Sequence, residues 1–183
     1  MNAANHSLLR GGGVDGAIHT AAGAELQAAC KKLPPITPNS DIRCKTGDAK
    51  IIAINWESKL PKSIKHIILT VGPKKTTKRR TPKANATLLK QCYINSLESA
   101  QEKGIETIAF PAISAGAYGF TIKESVQAAM AAVQEHAQKH PNCFKEIRLV
   151  ISGKTPEHSQ QNFNSAVQTI DVAIASNTQE SST

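Results

Sequence analysis

Aromatic side chains are scarce in this sequence: Phe, Trp and Tyr together make up 4% of its 183 residues. Aliphatic side chains and alanine must therefore supply most of the core. There is no apolar run of the ~20 residues that a bilayer-spanning helix needs. There is also no charged N-terminal segment followed by an apolar run, as a secretory leader would have. We therefore expect a cytoplasmic protein that does not enter the membrane.

Cysteine is sparse as well, and its spacing does not fit a metal site. The four cysteines, Cys30, Cys44, Cys92 and Cys143, contain no CxxC pair. Such scattered cysteines favour reduced thiols in a cytosolic protein over a disulfide framework. No cluster of His, Cys, Asp or Glu has the spacing of metal ligands. We expect neither a metal nor a cofactor.

Acidic residues are outnumbered, since 14 Asp and Glu oppose 22 Lys and Arg and leave a formal net charge of +8. Much of the excess lies in residues 74–83. The basic side chains of this segment are Lys74, Lys75, Lys78, Arg79, Arg80 and Lys83. A basic surface attracts polyanions, so nucleic-acid binding is one interpretation. We favour a solvated loop, because no aromatic side chain interleaves with the basic ones to stack on bases.

The chain has the length of one domain with its own core. Hydrophobic periodicity predicts helices and strands that alternate along it. The predicted helices cover residues 14–32, 84–103, 122–140 and 156–175, and the predicted strands cover 50–55, 66–71, 107–110 and 147–151. This alternation predicts a three-layer α/β/α sandwich with a mostly parallel central sheet. We expect one domain over residues 1–176 and a flexible tail over 177–183.

A first Gly-rich stretch brings polar residues together near the N-terminus. Asn5, Asp15 and His19 surround three consecutive glycines, Gly11–Gly13, and an alanine-rich run follows. This pattern predicts a tight loop that opens a helix. The free N–H groups at a helix start suit phosphate, and a carboxylate just past the turn can reach a ligand. A glycine turn before a helix is usually only a turn, so the feature alone leaves function open.

A second Gly-rich loop covers residues 111–120. Gly116 and Gly119 allow its backbone to wrap around a pyrophosphate with N–H groups as donors. Tyr118 and Phe120 are aromatic residues in an aromatic-poor chain. They either pack against a ribose or anchor the loop in the core.

Each loop leaves a strand and enters a predicted helix: the strand at 107–110 precedes the second loop, and residues 1–4 are what remains to supply the strand before the first loop. In open α/β folds, ligands bind at the carboxyl ends of the strands, and we expect both loops there. Thr121, with Glu124 three residues later, forms a capping-box sequence at the start of the helix behind the second loop. That helix start would support negative charge in front of it.

Taken together, these stretches resemble the macrodomain family, which binds ADP-ribose. The match is to its hydrolase branch of MacroD-like and O-acetyl-ADP-ribose deacetylase-like enzymes. The first signature is Asn5, six residues, and then Gly-Gly-Val-Asp at 12–15; the second is Gly-Ala-Tyr-Gly at 116–119. Segments 71–73 and 92–93 also fit, and the resemblance covers residues 2–151.

The resemblance implies removal of mono-ADP-ribose from acidic side chains, or deacetylation of O-acetyl-ADP-ribose. It implies that Asn5 contacts the distal ribose, that Asp15 orients or activates a water or the ribose, and that His19 supports this catalytic set. For His19 we favour a structural role with hydrogen bonds on the helix face. The ligand-binding residues that the resemblance implies are Gly11, Gly12, Gly13, Val14, Ser114, Ala115, Gly116, Ala117, Tyr118, Gly119 and Phe120.

Within that ligand set, the resemblance places Tyr118 beside the diphosphate and Phe120 toward the distal ribose. A non-catalytic ADP-ribose reader would need only the phosphate-binding loops and is the alternative within the same family. Nucleic-acid binding through residues 74–83 is the alternative from another class.

Three departures from the family pattern shape our expectations. Arg10 stands where relatives often have Gly, and Ala115 stands where Thr is common. Relatives also carry strands and a helix upstream of the segment that begins at Asn2, with an acidic residue that contacts adenine. We therefore expect a macrodomain truncated at its N-terminus, with weak ADP-ribose affinity, low solubility and little preference for adenine over other bases.

Overall fold

The computed structural model describes residues 1–76, 80–151, 157–162 and 164. The strands are β1 (Asn2–Ala3), β2 (Ala49–Ala53), β3 (His66–Thr70), β4 (Thr107–Pro111) and β5 (Glu146–Val150). The helices are α1 (Gly13–Ala22), α2 (Ala24–Lys32), α3 (Pro82–Gln101) and α4 (Ile122–Lys139). The helix expected over 156–175 lies mostly outside the described residues, of which 157–162 and 164 are helical.

The strands form a mixed arrangement in which parallel pairing predominates. β1 runs parallel to β3 and β4 runs parallel to β5, whereas β2 pairs with β3 in the antiparallel sense. The amino group of Met1 donates to the carbonyl oxygen of Ala109 at 2.8 Å, so β1 adjoins β4. The carboxyl ends of β1, β3 and β4 consequently meet at one edge.

Two apolar clusters lie on opposite faces of β3. Ile68 belongs to the cluster that includes α3 and α4, whereas Ile67 and Leu69 belong to the cluster that includes α2. Successive side chains of a strand point to opposite faces, so a continuous apolar run is what a strand covered on both faces requires. The expected three-layer α/β/α sandwich is confirmed. No helix among the described residues is long and apolar enough to cross a membrane.

The single helix predicted over 14–32 is wrong, because two helices occupy that range. Gly23 takes a φ of 89°, and its N–H donates to the carbonyl oxygen of His19, which ends α1. Glycine tolerates this positive φ, and α2 starts again at the next residue. Alanine on both sides of Gly23 kept the helical pattern unbroken in the sequence. The predicted end of the helix at residue 32 is correct, since Leu33 has an extended backbone before the two prolines, Pro34 and Pro35.

Helix caps define where the second Gly-rich loop ends. Thr121 accepts a hydrogen bond from the N–H of Glu124 at 3.1 Å, and the Glu124 carboxylate accepts one from the N–H of Thr121 at 2.8 Å. This is the capping box that the sequence predicts. α4 therefore begins with its first N–H groups already partly satisfied, directly after the loop.

The four cysteines are free thiols in this structure. Burial raises the pKa of Cys30 and of Cys92 to about 11. Because the thiolate is the reactive form, these side chains are inert packing residues at neutral pH.

Candidate active site

A cleft of about 340 Å³ lies where β1, β3 and β4 end. Both Gly-rich stretches contribute to its walls, as expected for loops at the carboxyl ends of strands. The cleft is lined by Ala3, Ala4, Asn5, Gly11, Gly12, Gly13, Val14, Asp15, Gly72, Ala112, Ile113, Ser114, Ala115, Gly116, Ala117 and Tyr118. The structure thus brings together most of the residues that the sequence singled out.

Three of the expected site residues do not line this cleft. His19 lies behind Asp15, one turn further along α1. Gly119 forms the turn that closes the second loop, with its N–H bonded to the carbonyl oxygen of Gly116. Phe120 is 7% exposed and belongs to the apolar cluster beneath α3 and α4. For Phe120 the structure therefore favours the core anchor over the ribose contact.

Asn5 organises the first loop through its side chain. Its Oδ1 accepts hydrogen bonds from the backbone N–H of Ser7 at 3.0 Å and from the Ser7 hydroxyl at 2.7 Å. Its Nδ2 donates to the carbonyl oxygen of Leu9 at 2.7 Å. One N–H of the Asn5 amide stays available, since the group carries two. The loop thus fixes the Asn5 side chain before any ligand arrives.

Asp15 is held from two sides in the wall of the cleft. Its Oδ1 accepts a hydrogen bond from Nδ2 of Asn2 at 2.7 Å, and its Oδ2 accepts one from the N–H of Gly11 at 2.5 Å. The residue is 4% exposed. Hydrogen bonds to a carboxylate are among the stronger ones in proteins, so this geometry is rigid.

Asn2 is the partner of Asp15 that the sequence analysis missed. It is fully buried on β1, opposite Leu69 of β3, and its amide reaches Asp15 across 13 residues of chain. A buried amide on a central strand usually has a polar partner to satisfy. An asparagine among small residues in the short segment that leads into a Gly-rich loop was the available signal.

His19 is a buried neighbour of Asp15 rather than its hydrogen-bond partner. Its Nε2 lies 3.6 Å from Oδ1 of Asp15, and neither ring nitrogen has a hydrogen-bond partner among the residues that the structure describes. Burial lowers the pKa of His19 below its ordinary value; the Asp15 carboxylate opposes this shift and the Arg10 guanidinium adds to it. The imidazole is therefore neutral at pH 7. Within the described part of the chain, the structural hydrogen bonds expected for His19 are not formed.

Free backbone donors face the cleft from both loops. The first turn of α1 has no side-chain cap, and the N–H groups of Gly12, Gly13 and Val14 donate to no acceptor in the described part of the chain. The same holds for the N–H groups of Gly116 and Ala117. Uncapped helix starts and successive loop amides bind anions. The uncapped helix N-terminus at the cleft is therefore the N-terminus of α1. The N-terminus of α4 is capped and does not line the cleft.

The second loop is supported from below by buried side chains. The hydroxyl of Tyr93 accepts a hydrogen bond from the N–H of Ile113 at 3.0 Å and lies 2.7 Å from Oγ of Ser125. Ser114 takes a φ of 61°, and its Oγ lies so close to Gly72 that a Cβ there would come within 2.1 Å of it. A Cβ at residue 72 would therefore force the side chains of Ser114 and Ile113 to shift.

A second, larger cavity of about 690 Å³ lies between the N-terminal halves of α3 and α4. Lys75, Phe120 and Glu124 contribute to it, but no residue of the first loop does. It contains neither the Asp15 carboxylate nor the free loop amides. The smaller cleft is therefore the candidate active site. Among the described residues, no group of three or more His, Cys, Asp or Glu side chains could hold a metal ion.

A sandwich of this kind, with two Gly-rich loops meeting over a buried carboxylate, defines a class of nucleotide-binding α/β domains. The Macro domain family model matches residues 1–129. The chain belongs to the macrodomain family.

Named relatives agree with this assignment. The chain is 43% identical over 141 residues to the O-acetyl-ADP-ribose deacetylase of Escherichia fergusonii, covering 76% of this chain and 72% of that protein. It is 38% identical over 151 residues to the ADP-ribose glycohydrolase MACROD1 of Rattus norvegicus, covering 82% of this chain and 52% of that one. The Oceanobacillus iheyensis macrodomain with ADP superposes with a TM-score of 0.78 at 34% identity, covering 96% of this chain and 83% of that one.

Proposed function

We propose that the protein is an ADP-ribosyl hydrolase, which removes mono-ADP-ribose from acidic side chains or deacetylates O-acetyl-ADP-ribose. The observation that carries this proposal is the position of the Asp15 carboxylate, in the wall of a cleft whose two loops present free N–H donors. The similarity to a glycohydrolase and to a deacetylase supports the same reaction class.

The two loops bind different parts of such a substrate. The diphosphate lies against the amides of Gly12, Gly13, Gly116 and Ala117, because uncapped N–H groups compensate its charge. The distal ribose then lies beside Asn5, whose remaining amide N–H can donate to a ribose hydroxyl. This pose brings the ester bond on the distal ribose toward the first loop.

Asp15 acts on the water that cleaves the ester. The water oxygen forms a bond to the electrophilic carbon of the ester, and the ester C–O bond breaks. Asp15 accepts the proton of the water and returns a proton to the leaving group. The hydrogen bonds from Asn2 and Gly11 keep the carboxylate oriented for this transfer. Each oxygen retains a lone pair for the water, since a carboxylate accepts about four hydrogen bonds.

A non-catalytic ADP-ribose reader is the second candidate. One observation favours it: each oxygen of Asp15 already accepts a hydrogen bond from the protein, and the side chain is almost wholly buried. In a reader the same carboxylate would serve only to hold the first loop in place.

Two measurements made side by side separate these candidates. The first is titration calorimetry with ADP-ribose, and the second is product release from O-acetyl-ADP-ribose and from a peptide that carries ADP-ribose on a glutamate. A hydrolase binds ADP-ribose and releases product from at least one substrate. Binding without release identifies a reader. The absence of both contradicts the proposal.

A further inference from the structure

The larger cavity, of about 690 Å³ between the N-terminal halves of α3 and α4, has the size and character of a small-molecule site. Its most buried apolar lining residues are Leu89 and Phe120, which are 1% and 7% exposed. Ala86 of α3 and Ala128 of α4 add apolar surface on its two sides. No described residue lines both this cavity and the active cleft. We call it the α3–α4 cavity.

Asn85 lines the α3–α4 cavity although it is only 1% exposed, and its amide oxygen has no partner. Its Nδ2 donates to the carbonyl oxygen of Lys75 at 3.1 Å, whereas no group in the described part of the chain donates to its Oδ1. Because the Lys75 carbonyl can only accept, that bond fixes which end of the amide is the oxygen. A buried acceptor without a partner is costly, and a ligand with an N–H or O–H group would satisfy it.

Positive charge exceeds negative charge around this apolar surface. The charged residues that line the cavity are Lys75, Lys83, Lys90 and Glu124. Glu124 is paired with Lys75 at 2.7 Å, and Lys90 is paired with Glu135 at 2.6 Å. Lys83 takes part in no ion pair among the described residues. Since the first turns of both helices line the cavity, their dipoles add positive potential at the same end.

The wall of the cavity is held in place without a ligand. The N–H of Lys75 donates to the carbonyl oxygen of Tyr118 at 2.8 Å, and the N–H of Phe120 donates to that of Ser114 at 3.1 Å. Nζ of Lys75 also lies 6.0 Å from the centre of the Phe120 ring. A wall that is already ordered lowers the entropy cost of binding.

We propose that the α3–α4 cavity is a second ligand site, which takes a small organic anion with a flat apolar body and one N–H or O–H donor. The apolar body packs against Leu89 and Phe120, the donor bonds to Oδ1 of Asn85, and the acid group lies toward Lys83. This site goes beyond the proposed function and does not rest on it, because neither Asp15 nor the free loop amides take part.

Indole-3-acetate is a suitable probe, since it combines a flat apolar ring, one N–H donor and a carboxylate. Two analogues each remove one of these features. The 1-methyl analogue lacks the donor, and the methyl ester lacks the charge. Amide NMR of the full chain reports the Kd of each compound and the residues that it contacts.

We expect saturable shifts at Asn85, Leu89 and Phe120 with a Kd of roughly 1 mM, as ligands with so few non-hydrogen atoms commonly reach. The 1-methyl analogue should bind at least about fivefold more weakly, because Oδ1 of Asn85 then stays unpaired. The methyl ester should bind about threefold more weakly, because it loses the attraction of the lysines.

A variant that fills the cavity tests where the probe binds. Ala86→Phe places a ring in the cavity from an exposed position of α3 and should abolish binding of the probe. Ala84→Phe is the matched control, because Ala84 is exposed on the same helix but does not line the cavity. Melting curves of both variants should match that of the wild type.

A charge variant tests the orientation of the probe. Lys83→Gln should raise the Kd of indole-3-acetate about threefold and leave that of the methyl ester unchanged. Lys123→Gln should change neither value, since Lys123 is an exposed residue in the first turn of α4 that does not line the cavity.

Shifts that do not saturate at ten times the expected Kd would overturn the proposal. So would equal binding of the probe and its 1-methyl analogue, or unchanged binding in Ala86→Phe. Shifts confined to residues 11–15 and 114–118 would place the probe in the active cleft and would also contradict it. Failure of the proposed function has a different signature. If the wild-type chain releases no product while the probe still shifts Asn85, the second site stands and the hydrolase assignment fails.

Discussion

The two Gly-rich loops meet in one cleft, yet they are held in opposite ways. The first is fixed by its own polar side chains, since Asn5 and Asp15 bond to the backbone around them. The second has no charged side chain between residues 112 and 120 and is fixed from below by Tyr93 and Ser125. The first loop therefore concentrates the reactive groups, and the second offers backbone donors on a rigid support.

This contrast predicts that substitutions in the first loop change chemistry more than binding. Substitutions beneath the second loop should change stability and, through it, the phosphate site. The experiments below are arranged by the size of the effect that we expect.

Asp15→Ala should have the largest effect. Loss of a group that accepts a proton from water lowers turnover by about 10²–10⁴-fold. ADP-ribose affinity should stay within about threefold, because the phosphate contacts come from backbone N–H groups that the substitution leaves in place. Steady-state kinetics and calorimetry on the same preparation check both statements. Wild-type turnover in the variant would remove Asp15 from the mechanism.

Gly72→Ala tests the support of the second loop. A Cβ at this position would lie 2.1 Å from Oγ of Ser114 and 2.8 Å from Cγ2 of Ile113. Overpacking of this kind costs about 1–3 kcal/mol of the free energy of unfolding. Gly12→Ala is the matched control in the first loop, because a Cβ there meets nothing within 4 Å. Urea unfolding should show a lower free energy of unfolding for Gly72→Ala and an unchanged one for Gly12→Ala. Equal stability of the two variants would contradict the account.

Asn2→Ala should act on chemistry without abolishing it. Nδ2 of Asn2 donates to Asp15 at 2.7 Å, and its removal leaves the carboxylate held by the N–H of Gly11 alone. We expect turnover to fall about tenfold, the equivalent of ~1.4 kcal/mol for a hydrogen bond to a charged group. ADP-ribose affinity, measured by calorimetry, should be unchanged. An unaltered turnover would show that Asn2 has only a packing role.

Acidification should produce the smallest of these effects. Burial lowers the pKa of His19, so the unfolded chain binds this proton more readily than the folded one does. Stability linked to His19 is therefore present above the ordinary histidine pKa of about 6.5 and is lost as the pH falls below it. In His19→Gln, the fall in Tm between pH 7.5 and pH 5.5 should be smaller than in the wild type. An identical fall in both proteins would contradict this assignment.

Local patterns predicted the order of the elements and the meeting of the two loops. Apolar runs such as residues 66–71 mark strands buried on both faces, and glycine followed by an alanine-rich run marks a loop that opens a helix. Both features depend on neighbours in the sequence. The strand ends then bring the loops together, because parallel strands share one carboxyl edge.

What the sequence did not predict depends on tertiary contacts. The contact between Asn2 and Asp15 exists because β1 ends beside α1, and no spacing rule encodes it. The sequence left the burial of Phe120 open as one of two alternatives, and that burial follows from the packing of α4 against α3. The position of Lys74 over Tyr118 follows from the backbone bond of Lys75 to the second loop. The sequence shows that residues 74–83 are basic, but it does not show that Lys74 lies beside the cleft.

The central claim is that one ligand engages the free amides of both loops, and amide NMR tests it residue by residue. On titration with ADP-ribose, the account predicts the largest shifts at Gly12, Gly13, Gly116 and Ala117, saturating together with one Kd. Amides around the larger cavity, in residues 83–90, should stay nearly unchanged. Large shifts confined to residues 83–90, or shifts in one loop alone, would contradict the claim that the two loops form a single site.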